Sequence, residues 1–133
     1  MVLALHSHLC VPTNQDHELG RTGEELACQE LAQRGYAILA RGYRTRYGEI
    51  DIVAQDRSVL VFVEVKTRSS VAYGGPLAAV TPRKQQRVIR MALDYLARRR
   101  LSGVPCRFDV VGVAVKDGTP GIEVVTDAFG RGG

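Results

Sequence analysis

The segment Val59-Leu60-Val61-Phe62-Val63-Glu64-Val65-Lys66-Thr67 constrains this chain more than any other stretch. From Val59 to Val65 only Glu64 is polar, and the apolar residues are mostly β-branched or aromatic at odd and even positions alike. A strand with one wetted face would alternate, so Ser58 to Thr67 is expected to be a central strand covered on both sides. Side chains alternate in direction along it, which puts Glu64 and Lys66 on one face and Val63 and Val65 on the other.

The surrounding sequence supplies the covering layers. Thr22 followed by Glu25 reads as a capping box, with Leu26, Ala27, Leu31 and Ala32 at helical spacing and Gly35 as the stop. Tyr36 to Tyr43 and Gly48 to Gln55 read as strands, the second with Ile50 and Ile52 alternating against Glu49 and Asp51. A short turn at Asp56 and Arg57 makes Gly48 to Gln55 an antiparallel partner of the central strand. Gly74, Gly75 and Pro76 mark the stretch from Arg68 to Val80 as a loop. Thr81 and Pro82 then open a second helix as N-cap and first-turn proline, closing at Arg98, Arg99 and Arg100. Cys106 to Lys116 is a fourth strand, Ile122 to Val125 a weaker fifth, and Asp127 to Gly133 a tail. The expected fold is α/β, an α-β-β-β-α-β core with a mixed central sheet flanked by helices.

Composition narrows the function classes. At 133 residues the chain suits one core, expected over residues 18–126, with residues 1–17 a mobile leader and 127–133 the tail. The net charge of +4 suits an anionic partner. No apolar run approaches the roughly 20 residues of a membrane helix, and the opening Val2 to Leu5 lacks the basic start of a signal peptide, so a cytoplasmic protein without membrane partners is expected. Cys10, Cys28 and Cys106 fit no disulfide framework, and His6, His8, Cys10 and His17 match no metal-site spacing. The Gly74-Gly75-Pro76 loop lacks the Lys and Ser/Thr of a phosphate-binding P-loop, so no nucleotide cofactor is expected.

The chemistry starts from charges in an apolar strand, where ionised groups are costly unless paired or metal-bound. Across the antiparallel pair Asp51 falls opposite Glu64, so two carboxylates face one point. Mg²⁺ or Mn²⁺ is held by such a pair plus waters and phosphate oxygens, and Lys66 is placed to orient a water or to stabilise charge developing on phosphorus. A same-face Glu64–Lys66 ion pair is the plain alternative. The chain has 15 Arg and three Lys, so a purely structural bridge would more often have drawn Arg; lysine at position 66 points to a specified role.

Four motifs carry a resemblance: Gly20-Arg-Thr-Gly23-Glu24, Gly48-Glu-Ile-Asp51, Phe62-Val-Glu64-Val-Lys66-Thr-Arg68 and Arg107-Phe-Asp109. Over roughly residues 18–126 the chain resembles the YraN-type bacterial proteins, which are similar in turn to the PD-(D/E)XK nucleases, archaeal Holliday-junction resolvases among them. The resemblance implies a restriction-endonuclease-like core in which Asp51 takes the acidic position, Glu64 the D/E position and Lys66 the lysine, spaced D-x12-E-x-K. Ile50 stands where the signature has proline, and Gly42 where many relatives have asparagine.

The resemblance also implies a further acid from the first helix. Glu24 shares a face with Ala27, Cys28 and Leu31, while Glu25 serves the cap; a first-turn carboxylate complementing the helix dipole is the other reading of Glu24. Glu49, on the same side of its strand as Asp51, is the alternative ligand. Lys84, whose stripe runs through Val88, Met91 and Tyr95, corresponds to a position near the active centre of related nucleases, or else snorkels along the packed face. Arg83, Arg87 and Arg68, with Lys84, are the expected nucleic-acid contacts, while loop tyrosines Tyr43, Tyr47 and Tyr73 carry little weight as stacking platforms. Asp109 is expected to pair with an arginine. The expected function is Mg²⁺- or Mn²⁺-dependent phosphodiester hydrolysis on DNA, branched or junction forms included, with a homodimer as a compatible assembly. The alternative is a non-catalytic nucleic-acid-binding or adaptor protein that keeps the fold.

Overall fold

The structure is a computed structural model that describes residues 18–68, 75–116 and 118–130. Five strands form one mixed sheet in the order β1-β2-β3-β4-β5: β1 (Ala37–Thr45), β2 (Gly48–Asp56), β3 (Val59–Arg68), β4 (Cys106–Lys116) and β5 (Thr119–Phe129). All neighbours are antiparallel except β3 and β4, whose parallel pairing runs from Leu60↔Cys106 to Arg68↔Ala114. A parallel pair needs a crossover connection, and α2 (Pro82–Arg98) supplies it, while α1 (Glu18–Gln33) precedes β1. The α-β-β-β-α-β order expected from the pattern is therefore present, with β5 added on the far edge.

The helices cover opposite faces, which explains why β3 is apolar throughout. Phe62 and Leu60 join Val53, Phe108 and the α2 residues Val88, Met91 and Tyr95 in one core. Val61 and Val63 join Ile52, Ala54, Val111 and the α1 residues Ala27 and Leu31 in the other. Each buried side chain of this size contributes roughly 1.5–3 kcal/mol of transfer free energy. Phe62 is held between rings, stacked on Phe108 at 5.7 Å and edge-on to Tyr95 at 5.6 Å.

Local chemistry sets the helix ends. Gly35 follows α1 with φ +96, and the backbone N–H of Tyr36 returns to the carbonyl of Leu31, as a glycine stop requires. Thr81 caps α2, its side chain accepting from the Lys84 N–H at 3.1 Å. That cap fixes the first turn of α2, and with it Lys84.

Four local readings change. α1 begins at Glu18, so Thr22 lies inside the helix and no capping box forms; Glu25 instead bridges to Arg41 of β1 at 3.0 Å. α2 ends at Arg98, and Arg99 turns back over the Tyr95 ring at 4.1 Å. The segment after Pro76 is not wholly irregular, because Leu77–Ala79 forms a 3₁₀ turn. The fifth strand is eleven residues long rather than four and reaches Phe129, taking residues 127–129 into the sheet. There the Asp127 N–H donates to Asp109 at 2.9 Å. No helix among the described residues is long and apolar enough to cross a membrane.

Candidate active site

The site lies where β2 and β3 part. Their paired register stops at Ile52↔Val63, one position short of Asp51 and Glu64. Side-chain alternation on β2 also breaks there, since Ile50 packs in the α2-side core and Ile52 in the α1-side core. Strict alternation would have put both on one face, as the sequence pattern suggested. The Asp51 carboxylate fills the gap: its Oδ2 accepts from the Val65 N–H at 2.8 Å, standing in for a β2 carbonyl. Asp51 is thus fixed beside the strand segment that carries Glu64 and Lys66.

Glu64 is 4% exposed, one of two buried charged residues among those described. Its Oε2 sits 3.4 Å from Lys84 Nζ and 3.7 Å from Lys66 Nζ, so β3 and α2 each bring a cation to one oxygen. Both contacts exceed the roughly 2.7–2.9 Å of a charge-assisted hydrogen bond. The other oxygen, Oε1, is buried with no hydrogen-bond partner. A carboxylate oxygen left in that state costs about 1–3 kcal/mol or more, so Oε1 is short of a partner.

Asp51 shows the complementary strain. Burial, then the charge of Glu64, raises its pKa from 3.8 to about 7; the Val65 N–H and Lys84 pull the other way, and Glu24 adds to the rise. Glu24 reaches this neighbourhood because α1 crosses β3 closely at Gly23. A Cβ at that glycine would lie 2.0 Å from Thr67 Oγ1 and 3.1 Å from Thr67 Cβ. Only glycine permits that approach.

These residues fit a divalent cation. Two carboxylates meet here, one with an orphaned buried oxygen and the other driven towards protonation by burial and then by its neighbour's charge despite the nearby lysines, and Mg²⁺ commonly takes one or two carboxylates with water and phosphate. Among the described residues no group of three or more His, Cys, Asp or Glu gathers as a ligand cluster. Glu24 acts here through its charge on Asp51.

The expected nucleic-acid residues separate into three places. Lys84 is at Glu64. Arg68 and Lys66 border a cavity of about 290 Å³ floored by Gly112 and Pro76, where a Cβ at Gly112 would meet Pro76 Cγ at 2.5 Å. Arg83 and Arg87 line a separate groove of about 440 Å³ on the outer side of α2. Glu49 is exposed opposite Arg44, and its charge does not figure among the causes that move Asp51, so it stands apart from the carboxylate pair.

Asp109 is fully buried at a different point of the sheet. It accepts from Tyr36 Oη at 3.1 Å and Arg107 Nε at 3.0 Å, and Arg107 also reaches Asp56 at 3.1 Å. Burial and the Asp109 charge raise the Tyr36 pKa. This network ties β4 to β2 and to the start of β1, as the expected arginine pairing implied. His6, His8, Cys10, His17 and Tyr73 lie outside the described residues.

Sequence reasoning left the surroundings of Tyr47 open. It sits in the β1–β2 turn against α2, with Arg90 5.2 Å and Arg46 5.7 Å from its ring centre. The i, i+4, i+7 stripe of Arg83, Arg87 and Arg90 was the available signal for a groove there, but nothing local to the turn tells which helix it meets.

The profile of the uncharacterised protein family UPF0102 matches residues 23–113, from the α1–β3 crossing through the floor of the cavity beside Lys66. A UPF0102 protein of Chlorobium phaeobacteroides is 49% identical over 119 residues, covering 85% of this chain and 94% of the relative. One from Syntrophus aciditrophicus is 47% identical over 115 residues, covering 86% and 91%. Another, from Symbiobacterium thermophilum, is 50% identical over 112 residues, covering 84% and 95%. With the matched region spanning Asp51, Glu64, Lys66 and Lys84, the chain belongs to UPF0102, the YraN family that its motifs resemble.

Proposed function

We propose that the protein is a Mg²⁺- or Mn²⁺-dependent endonuclease acting on DNA, branched and junction forms included. The observation that carries this reading is the buried, partnerless Glu64 Oε1 beside an Asp51 carboxyl raised to about 7. A cation held by Asp51 and Glu64 supplies charge stabilisation at a phosphodiester and a water of lowered pKa. Lys66 orients the attacking water and stabilises charge on the phosphorane-like transition state. Lys84 holds Glu64 in place from α2, and Glu24 favours cation uptake by adding negative charge at Asp51. Water adds to phosphorus and gives up a proton to solvent, one P–O ester bond breaks, and the leaving oxygen takes a proton from solvent. Arg68, Arg83 and Arg87 contact phosphates along the strand.

A second reading, a DNA-binding adaptor without turnover in the cytoplasm, draws on Lys66 and Lys84, which already offset the Glu64 charge. One experiment separates the two: wild type and Glu64→Ala are incubated with linear, nicked and four-way-junction DNA in Mg²⁺, Mn²⁺ or EDTA. Metal-dependent cutting lost in the variant supports the nuclease. Salt-sensitive binding with no cutting of any substrate supports the adaptor and overturns the nuclease.

A further inference from the structure

The groove between the β1–β2 turn and the outer side of α2 lies apart from the carboxylate pair, and the reading above uses only its Arg83 and Arg87, as phosphate contacts. It measures about 440 Å³ and is bordered by Tyr47, Arg83, Gln86, Arg87, Arg90 and Leu93. Tyr47 is 37% and Leu93 42% exposed, two of three large apolar side chains so exposed among the described residues. Arg83, Arg87 and Arg90 form no ion pair with a carboxylate among the described residues, whereas Arg34, Arg98 and Arg107 all do. We infer that this groove holds one unpaired DNA strand, a base stacking on Tyr47 and successive phosphates meeting Arg83, Arg87 and Arg90.

Charge selects the occupant. Three unpaired guanidinium groups facing an open groove call for an anionic polymer, and a second copy of this chain brings its own net +4. Along α2 the stripe from Arg83 to Arg90 spans about 10 Å at 1.5 Å per residue, long enough to meet more than one phosphate of a strand. The aromatic ring selects the strand state. In a duplex the base faces are already stacked on one another, so a duplex would meet the arginines and leave Tyr47 idle, while an unpaired strand uses both.

The ring now carries Arg46 and Arg90 at 5.7 and 5.2 Å. A stacked base is held more strongly than an exposed guanidinium on the same ring, so a base displaces one of the guanidinium groups. The displaced arginine is then free to meet phosphate. Lys84 lies one helical turn from Arg87 on the same helix and touches Glu64, so a strand in the groove runs towards the carboxylate pair. The choice of DNA rests on the proposed nuclease reading; the groove itself does not depend on turnover.

The test measures anisotropy of labelled single-stranded and duplex DNA of equal length in EDTA, where no cutting occurs, at two salt concentrations. Wild type, Glu64→Ala, Tyr47→Ala, Tyr47→Phe and Arg83→Ser/Arg87→Ser/Arg90→Ser are compared, each checked by thermal unfolding. Wild type and Glu64→Ala are expected to prefer the single strand by at least about 10-fold. Tyr47→Ala is expected to lose about 5- to 100-fold on the single strand and less than about twofold on duplex, with Tyr47→Phe close to wild type. The triple arginine variant flattens the salt dependence. A Tyr47→Ala protein that binds the single strand like wild type, a preference for duplex, or a concentration-dependent dimer abolished by Leu93→Glu overturns the inference. Groove binding as described with no cutting under any metal retains this inference and removes the nuclease; cutting with an unaffected Tyr47→Ala does the reverse.

Discussion

Lys84 Nζ lies 3.4 Å from Glu64 Oε2, so the first turn of α2 places a cation on the most buried carboxylate of the sheet's open fork. Lys66 approaches the same oxygen at 3.7 Å from Glu64's own strand. The two ammonium groups are equivalent in charge and different in task, which separates them experimentally. Lys84→Met removes a holding contact and is expected to slow cutting about 10-fold. Lys66→Met removes the group facing phosphorus and is expected to slow it about 10²- to 10³-fold. Single-turnover cleavage at saturating Mn²⁺ measures both, and wild-type cutting by Lys66→Met would remove that lysine from the chemistry.

Asp51 makes the metal-free protein pH-dependent in a specified direction. Its folded pKa, about 7, lies above the ordinary 3.8, so the folded state retains a proton that the unfolded state has lost across that interval. Stability from this group is therefore fully present below about pH 4 and is lost as pH rises through about 7, by an amount on the order of 1–4 kcal/mol. Asp51→Asn keeps an oxygen for the Val65 N–H and removes the titration. Urea unfolding in EDTA at pH 5 and pH 8 is expected to show a larger gain of the variant over wild type at pH 8 than at pH 5.

Divalent cations should reverse that trend, because they bind the ionised pair. The rise in melting temperature on adding Mn²⁺ is expected to be larger at pH 8 than at pH 6, to disappear on chelation, and to be absent in Asp51→Asn and Glu64→Ala. Calorimetry in two buffers of different ionisation enthalpy is expected to show proton release near pH 7 on binding. Equal stabilisation of all three proteins would place the cation elsewhere.

Gly23 and Thr67 offer a test of how α1 is seated. With Thr67 Oγ1 at 2.0 Å and its Cγ2 at 3.1 Å from the built Cβ, rotating the threonine exchanges one clash for another. Gly23→Ala is expected to cost about 1–3 kcal/mol despite alanine's better helix propensity. Thr67→Ala in the same chain should recover part of that loss, as read by denaturant midpoints; additive losses would mean the two do not touch.

Asp109, fully buried, accepts from Tyr36, Arg107 and the Asp127 N–H. Asp109→Ala leaves Asp56 as the remaining carboxylate on Arg107 and strands the Asp127 N–H, and is expected to destabilise by about 1–3 kcal/mol. Cutting per folded molecule, measured well below the unfolding transition, is expected to stay within about threefold of wild type. A selective loss of turnover with stability intact would move Asp109 into the reaction.

The legible parts of this molecule were those set by periodicity. β3 declared itself through unbroken apolar character, and Glu64, Lys66 and Lys84 through alternation, helical spacing and the scarcity of lysine. Thr22 and Glu25 misled because Thr-x-x-Glu reads alike at a helix start and inside one. The real partner of Glu25, Arg41, is sixteen residues away. Ile50 and Ile52 misled because the break in β2 is caused by Asp51 reaching Val65 across the fork, a tertiary event with no local signature. β5 looked short because Pro120 and Gly121 are poor strand formers, yet they pair with Val115 and Ala114 on β4, in a strand at the sheet edge where pairing tolerates them.

The parallel seam between β3 and β4 has a bearing on biosynthesis. Asp51, Glu64 and Lys66 belong to a hairpin that a ribosome completes early, whereas Lys84 comes to rest on Glu64 by way of a crossover whose returning strand ends at Lys116. Closing that long loop is the slow, non-local part of assembly. A nascent chain truncated before β4 therefore carries the acids without the scaffold that aims them, and the finished cluster emerges only once β4 has been made.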